Sequence, residues 1–346
     1  QRLEPGIALP DLTVSVRPTL GISIYPEHGT HQDQLLLRAT VAQTEGGLDR
    51  PISIYTGGDE EKRVRRLTIL GDLRRAVRQE ELKLYFQPKV SLVDGSVCGA
   101  EALVRWDHPT LGRLSPAEFI PIAEQSGNIS ILTRWALRAA ARECRFWLEE
   151  GHDIPVSVNL SAQDLQDRDL PWFVLETLRD HDLPARSLVA EITEEGVVKD
   201  FAHAKLVLQR LRELGIRISI DDFGTGYSNL SALQTFPVTR LKIDKSLLHN
   251  FDVSGKAMTR AVVTLGHALG VNVVSEGVET AEQLAFLRAI GCDEAQGFHI
   301  QAPLSAADLT ALLCRSATLA RDGRRFDRRR KPAQPAEREE RLPATA

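Results

Sequence analysis

Acidic and amide side chains recur where the apolar runs of this 346-residue chain end. Val156-Ser157-Val158 ends in Asn159. Leu188-Val189-Ala190 runs into Glu191, with Glu194 three residues on. The run from Ile216 to Ile220 ends in Asp221-Asp222. Leu241-Lys242-Ile243 carries a lysine and is followed by Asp244. Val273-Val274-Ser275 ends in Glu276, a later stretch carries Gln296, and an earlier one carries Glu101. A single carboxylate after a strand is ordinarily a helix N-cap or a solvated turn residue. That account fails for all of them together if the strand ends converge. Two unit charges about 4 Å apart repel by roughly 4 kcal/mol at an effective dielectric near 20, so such a cluster needs cations. Oxygen-rich sites suit Mg2+ or Mn2+. Adjacent aspartates such as Asp221-Asp222 help to hold two ions about 3.5–4 Å apart, the spacing used in phosphoester hydrolysis. Lys242, among them, is suited to orient or to deprotonate a water.

Convergence requires strands whose ends meet. Short β-branched runs at 82–88, 97–106, 155–159, 188–193, 216–222, 239–244, 271–276 and 294–299 alternate with helical patterns at 129–150, 165–179, 202–214, 258–269 and 281–290. Strand–helix alternation implies a parallel sheet. Eight such strands predict an α/β fold, a TIM-like (β/α)8 barrel, whose C-terminal strand ends form the functional face. The turn Asp94-Gly95 joins the first two runs so tightly that they should be antiparallel. Residues 1–60 hold two strand-like runs, 20–25 and 51–55, around a helical stretch near 32–43. This small α+β piece has too little apolar material to fold alone. The barrel domain is placed at 61–316, opening with an amphipathic helix over 65–80. Residues 317–346, rich in Arg, Glu, Pro and Ala, are expected to be a disordered basic and polar tail.

Composition narrows the partners. A formal net charge of −4 does not mark a polyanion binder, so no nucleic-acid polymer is expected. The basic run 324–331 reads as a solvated tail. Cys98, Cys144, Cys292 and Cys314 are scattered without a paired spacing, which indicates neither a zinc site nor a disulfide framework. They read as free thiols in the cytoplasm. No apolar run approaches the roughly 20 residues that span a bilayer, and residues 1–10 lack the pattern of a signal peptide. Membrane contact is expected only through any upstream region.

Ten blocks stand in order along the chain. They are Tyr85-Phe86-Gln87-Pro88, Glu101-Ala102-Leu103-Val104-Arg105-Trp106, His108-Pro109, Phe119-Ile120-Pro121, Val158-Asn159-Leu160-Ser161 and Glu191-Ile192-Thr193-Glu194. Asp221-Asp222-Phe223-Gly224-Thr225-Gly226-Tyr227-Ser228, Leu241-Lys242-Ile243-Asp244, Glu276-Gly277-Val278-Glu279-Thr280 and Gln296-Gly297-Phe298 follow. The set, over about residues 66–316, resembles the EAL-domain family of cyclic di-GMP phosphodiesterases. The resemblance implies metal-dependent hydrolysis of cyclic di-GMP to linear 5′-pGpG, which lowers that second messenger in bacterial signalling. It implies that Glu101, Asn159, Glu191 and Asp221 ligate a first Mg2+ or Mn2+, and that Asp221, Asp222 and Glu276 surround a second, with Ca2+ inhibitory. Lys242, Glu276, Asp222 and Glu194 make up the implied catalytic set. Lys242 resembles the lysine that holds the attacking water, and Glu194 the glutamate that anchors the loop after Asp222. Gln87, Arg105, Glu279 and Gln296 resemble substrate-side or supporting positions; the fork of Arg105 suits a phosphate. A homodimer through the EAL domain is also implied. Every acidic position is kept, which favours an enzyme over a receptor that binds cyclic di-GMP without cutting it.

Residues from about 11 to 56 resemble the tail of a GGDEF domain, with Gly21-Ile22-Ser23-Ile24-Tyr25-Pro26-Glu27-His28-Gly29 similar to one of its late strands. Gly57-Gly58-Asp59-Glu60 imitates the signature of that domain, but Glu61 stands where Phe is expected and the order is reversed. The N-terminal piece is therefore expected to be a truncated remnant without cyclase activity. Asp222-Phe223-Gly224 also spells a kinase signature, but no glycine-rich loop or catalytic-loop block accompanies it.

Overall fold

Arg217-Ile218-Ser219-Ile220-Asp221 and Arg240-Leu241-Lys242-Ile243 alternate polar and aliphatic residues, a period of two that selects extended backbone. Both become strands, and almost every residue in them is buried. A strand buried on both faces with polar residues on one of them needs partners for those residues inside the fold. The architecture that supplies them comes from a computed structural model describing residues 7–9, 12–14, 19–46, 51–56, 60–194, 201–224, 235–249 and 251–315. The chain divides into two compact units. One takes in Gln1–Lys83 and Arg105–Leu132, the other Leu84–Val104 and Thr133–Ala346.

In the first unit, β1 (Ile7–Leu9) pairs antiparallel with β2 (Leu12–Val14). β3 (Leu20–Ile22) runs parallel to β4 (Ile52–Ile54), and α1 (Gln32–Gly46) connects them. β3 lies so close to α1 that a Cβ on Gly21 would stand 1.8 Å from the Ala39 carbonyl oxygen. Val41, Ala42 and Tyr55 are buried together, with Leu67 of α2 (Glu60–Arg78) packed on them. Two long strands follow, β5 (Leu82–Ser91) and β6 (Val97–His108), and the end of β6 pairs antiparallel with β7 (Gly112–Leu114). Buried His108 builds that turn: its Nδ1 accepts the backbone N–H groups of Thr110 and Leu111, each at 3.2 Å, while Nε2 faces Asp72 at 3.1 Å. α3 (Pro116–Gln125) places proline in its first turn, where a missing N–H costs nothing. Its Phe119 packs edge-on to Trp106, and the Trp106 indole donates to Glu81 at 3.0 Å.

The second unit contains the barrel. After α4 (Ile129–Glu149) come β8 (Val156–Leu160), α5 (Leu170–Asp180), β9 (Leu188–Thr193), α6 (Phe201–Glu213) and β10 (Arg217–Phe223). β11 (Arg240–Ile243), α7 (Lys245–His249), α8 (Val253–Ala268), β12 (Asn272–Ser275), α9 (Ala281–Ala289) and β13 (Glu294–Ala295) complete it. The strand order β5-β13-β12-β11-β10-β9-β8-β6 closes on itself through β5–β6. From β6 through β8 to β13 the pairs are parallel, and β5 runs antiparallel to β13. The (β/α)8-like expectation and its one reversed strand both hold.

The apolar core lies outside the strands. Ile218, Ile220, Leu241 and Ile243 join Val207, Leu208 and Leu211 of α6 and Val262 and Val263 of α8 in one buried cluster. Burying each such side chain contributes about 1.5–3 kcal/mol. The lumen departs from the branched aliphatic layers usual in barrels of this kind. Lys89, Ser157, Glu191, Ser219, Arg240, Lys242 and Glu294 are buried there.

Several boundaries differ from expectation. The helix expected over 165–179 is a 3-10 turn, Asp164–Gln166, followed by α5. Pro171 forces the restart, and the buried Asp164 carboxylate accepts from the Ser161 N–H and hydroxyl and from the Thr133 hydroxyl. α8 begins at Val253 rather than 258 because Asp252 caps it, accepting from the Gly255 N–H at 2.8 Å. The last strand stops at Ala295 instead of 299. β1, β2, β7, α3 and α7 had no sequence expectation. The supposed signature residues 57–59, the loop 225–229 and the tail 317–346 lie outside the described residues.

Candidate active site

Barrel register sets the site. Glu101 pairs across from Ser157, Asn159 from Glu191, and Thr193 from Asp221, so acidic residues from neighbouring strands step up to one rim. Asp221 and Asp222 are adjacent, and a regular strand would send them to opposite faces. The β10–β11 register shifts between Ile220 and Phe223, and Asp222 adopts φ 56°. A bulge of this kind re-aims side chains, and aspartate tolerates the left-handed region better than most residues. The Asp222 N–H donates to Asp221 Oδ1 at 2.9 Å, and Phe223 returns to the core.

Lys242 sits at the centre, fully buried. Its Nζ lies 2.6 Å from Glu276, 2.8 Å from Asp221, 3.0 Å from Glu191 and 3.4 Å from Glu101. Asn159 donates to Glu101 Oε1 at 3.0 Å. Gln296 donates to Glu101 Oε2 at 2.8 Å and to Gln87 Oε1 at 3.0 Å, and Gln87 donates to the Gln301 carbonyl at 3.1 Å. One ammonium cannot neutralise so many acids. Burial, reinforced by Asp221 and Glu101 and opposed by Lys242, pushes Glu276 up to about 8. Burial also pushes Asp221 up to about 6, with Glu191 and Glu101 adding to it against Lys242. Burial and Asp244 raise Asp222. Glu191 moves the other way: burial opposes its ionisation, but Lys242 and Lys89 together outweigh it. Burial works against the charge on Lys242 too, and the surrounding carboxylates overcome it, so its ammonium is held well above the ordinary lysine value.

These residues fit a divalent metal. Glu101, Glu191 and Asp221 offer oxygens within 4.8 Å of one another, and so do Asp221, Asp222 and Glu276. Every donor is a hard oxygen, as Mg2+ and Mn2+ prefer. Asp221 belongs to both groups.

A cavity of about 300 Å³ opens over this cluster, lined among others by Gln87, Glu101, Asp221, Glu276, Glu279 and Gln296. Glu279 is placed by the helix behind it: Thr280 and Gln283 form a capping box, and Gln283 Oε1 accepts the Glu279 N–H at 2.8 Å. Gly277 turns the chain at φ 65°, where a Cβ would stand 2.4 Å from the Lys245 Cβ. The buried Gln296 Oε1 has no hydrogen-bond partner.

The family model for the EAL domain matches residues 70–303. The chain belongs to the EAL family. Two relatives from Pseudomonas aeruginosa are each 37% identical to it. They are the bifunctional diguanylate cyclase/cyclic di-GMP phosphodiesterase MucR, over 86% of this chain, and the cyclic di-GMP phosphodiesterase NbdA, over 90%. The match spans only 44% and 41% of those two proteins. The solved structure of the PaMucR phosphodiesterase in its c-di-GMP complex is 40% identical, with a TM-score of 0.67, covering 70% of this chain and 99% of that one.

Within this EAL domain the structure brings together Glu101, Asn159, Glu191, Asp221, Asp222, Lys242 and Glu276, with Gln87, Glu279 and Gln296 around the cavity. Arg105 is different. It lies four residues beyond Glu101 on the part of β6 that belongs to the first unit, and it is not among the cavity-lining residues. Glu194 is described, but the loop it is expected to anchor is not. Sequence reasoning missed Lys89, Lys245 and Phe298. Lys89 carried a signal, since it follows Gln87 by two and so shares its face of β5. Phe298, 70% exposed, lines the cavity although its short apolar context suggested a strand. Among the described residues no helix is long and apolar enough to cross a membrane.

Proposed function

We propose that this protein is a metal-dependent phosphodiesterase that hydrolyses cyclic di-GMP to linear 5′-pGpG. The observation that carries this reading is the pair of carboxylate groups sharing Asp221, wrapped around a buried lysine under an open cavity. Mg2+ or Mn2+ bound to Glu101, Asn159, Glu191 and Asp221, with a second ion at Asp221, Asp222 and Glu276, would supply Lewis acidity at the phosphate and lower the pKa of water. Lys242 donates a hydrogen bond to the water oxygen and orients it. The water oxygen gives up a proton and forms a bond to phosphorus while the bond to the ribose 3′-oxygen breaks and that oxygen takes up a proton, so the product carries a 3′-hydroxyl and keeps a 5′-phosphate. Gln296 Oε1 accepts from a substrate N–H or O–H, which supplies the partner it lacks. Gln87 holds Gln296 in place, Glu279 faces the substrate, and Phe298 offers a ring face to a guanine base, a sequence-tolerant contact. Glu194 anchors the loop after Asp222.

Purified protein with Mn2+ and cyclic di-GMP, assayed by chromatography beside Glu101→Ala, tests this. Linear dinucleotide from the wild type alone supports the reading. Tight binding without product would leave the receptor alternative. The same reading includes a homodimer through the barrel domain, which light scattering would check.

Residues 1–60 are read as a GGDEF remnant. The parallel β3–α1–β4 unit supports this, being the kind of crossover such a domain contains. Incubation with GTP should yield no cyclic di-GMP.

A further inference from the structure

Lys89 is fully buried and has no part in the roles above. Its Nζ forms an ion pair with Glu191 Oε1 and donates to Ser157 Oγ at 2.8 Å. The other carboxylate oxygen, Oε2, lies 3.0 Å from Lys242, the ammonium that Glu191 shares with Glu101, Asp221 and Glu276. The two oxygens of Glu191 are thus held by two different cations. Glu101 and Asp221 have no such division: amide or backbone N–H groups reach their remaining oxygens. Burying an ammonium costs several kcal/mol unless it is paired, and an apolar side chain of similar volume would fill the space without that cost. A purely structural barrel has no need of Lys89.

We propose that Lys89 is a positioning residue that makes Glu191 a one-oxygen metal ligand and thereby biases the site toward Mg2+ and Mn2+ over Ca2+. This rests on the metal-site reading above. With Oε1 engaged by Lys89, only Oε2 can turn to an ion. Mg2+ demands compact octahedral coordination, whereas Ca2+ takes six to eight oxygens and accepts both oxygens of one carboxylate. Freeing Oε1 lets Glu191 offer both and enlarges the coordination number available. Loss of a positive charge also strengthens binding of every divalent ion alike. The diagnostic quantity is therefore the ratio of Ca2+ to Mg2+ affinity, not either affinity alone.

Calorimetric titration of metal-free wild type, Lys89→Met and Ser157→Ala with MgCl2 and CaCl2, without substrate, reads that ratio; circular dichroism melts check folding. Lys89→Met should shift the ratio toward Ca2+ on the order of tenfold, the scale on which groups behind a metal ligand act. Ser157→Ala, which leaves the ammonium with one partner fewer, should shift it the same way by less. Equal shifts for both ions in Lys89→Met would show a charge effect alone and overturn the proposal. If Lys89→Met does not fold, an unchanged ratio in Ser157→Ala overturns it. Wild-type turnover of cyclic di-GMP is measured on the same preparation. Absent turnover with the ratio shift intact sinks the phosphodiesterase reading and leaves this one standing, while an unchanged ratio with normal turnover does the reverse.

Discussion

The lumen of the barrel holds two layers of buried charge, and they are balanced differently. Near the N-terminal ends of the strands, Arg240 meets Glu294 at 2.6 Å, and each side chain is 7% exposed. Toward the C-terminal ends of the barrel strands, four carboxylates, Glu101, Glu191, Asp221 and Glu276, share two ammonium groups, Lys242 and Lys89, and Asp222 lies beside Asp221 and Glu276. In the lower layer Arg240 and Glu294 pair, and the positive charge of Arg217 acts on both. The upper layer pushes Asp221 and Glu276 up to about 6 and about 8. Buried ion pairs add little net stability, because desolvation offsets their attraction. An unbalanced cluster stores a demand for cations, and that demand separates a site from a scaffold.

The comparison breaks most sharply at Lys242. Lys242→Ala should lower kcat by about 10²–10⁴-fold, the scale for a positioned group acting on proton or nucleophile, while cyclic di-GMP still binds. Steady-state kinetics beside equilibrium binding checks this. Weaker binding at an unchanged kcat would make Lys242 a substrate contact.

The lower layer should respond in stability instead. Arg240→Met strands Glu294 and should cost about 3–5 kcal/mol in denaturant unfolding. Arg240→Met with Glu294→Leu should recover most of that loss and keep wild-type turnover per folded molecule. A double variant that folds well but has lost activity would show that the two layers are one system.

Metal should sharpen the contrast in the opposite sense. Mn2+ at 100 times its Kd should stabilise the wild type by about 2.7 kcal/mol. The increment should survive in the Arg240/Glu294 double variant and shrink in Glu101→Gln. Equal increments in all three, read from unfolding curves, would place the ion elsewhere.

The smallest effect belongs to Glu194, the residue that follows β9. Glu194→Ala should weaken metal binding and turnover together by on the order of tenfold, without lowering the melting temperature. Wild-type metal dependence at the wild-type rate would remove Glu194 from the mechanism.

By itself the sequence determined the order of strands and helices, the reversed first strand, and the acidic residues waiting at strand ends. These are local properties: a period of two or 3.6, a two-residue turn, and a carboxylate after an apolar run are all written within a few neighbouring residues. Helix starts at Leu170 and Val253 were legible less well, because a proline and a capping aspartate, each one residue, overrode the pattern around them. Only the tertiary structure decided which polar residues meet. Lys242 reaches Glu101 across 141 positions of sequence, and Lys89 reaches Glu191 across 102. Closing the barrel through β5–β6 creates those contacts, and no local pattern encodes a closure between strands so far apart. The same holds for Asp222, whose side chain turns to the rim only because β10 and β11 slip register beside it. Nothing near Lys89 in the sequence names its partner until the lumen around it is seen to be lined with carboxylates, and the low dielectric of that lumen makes the pairing compulsory.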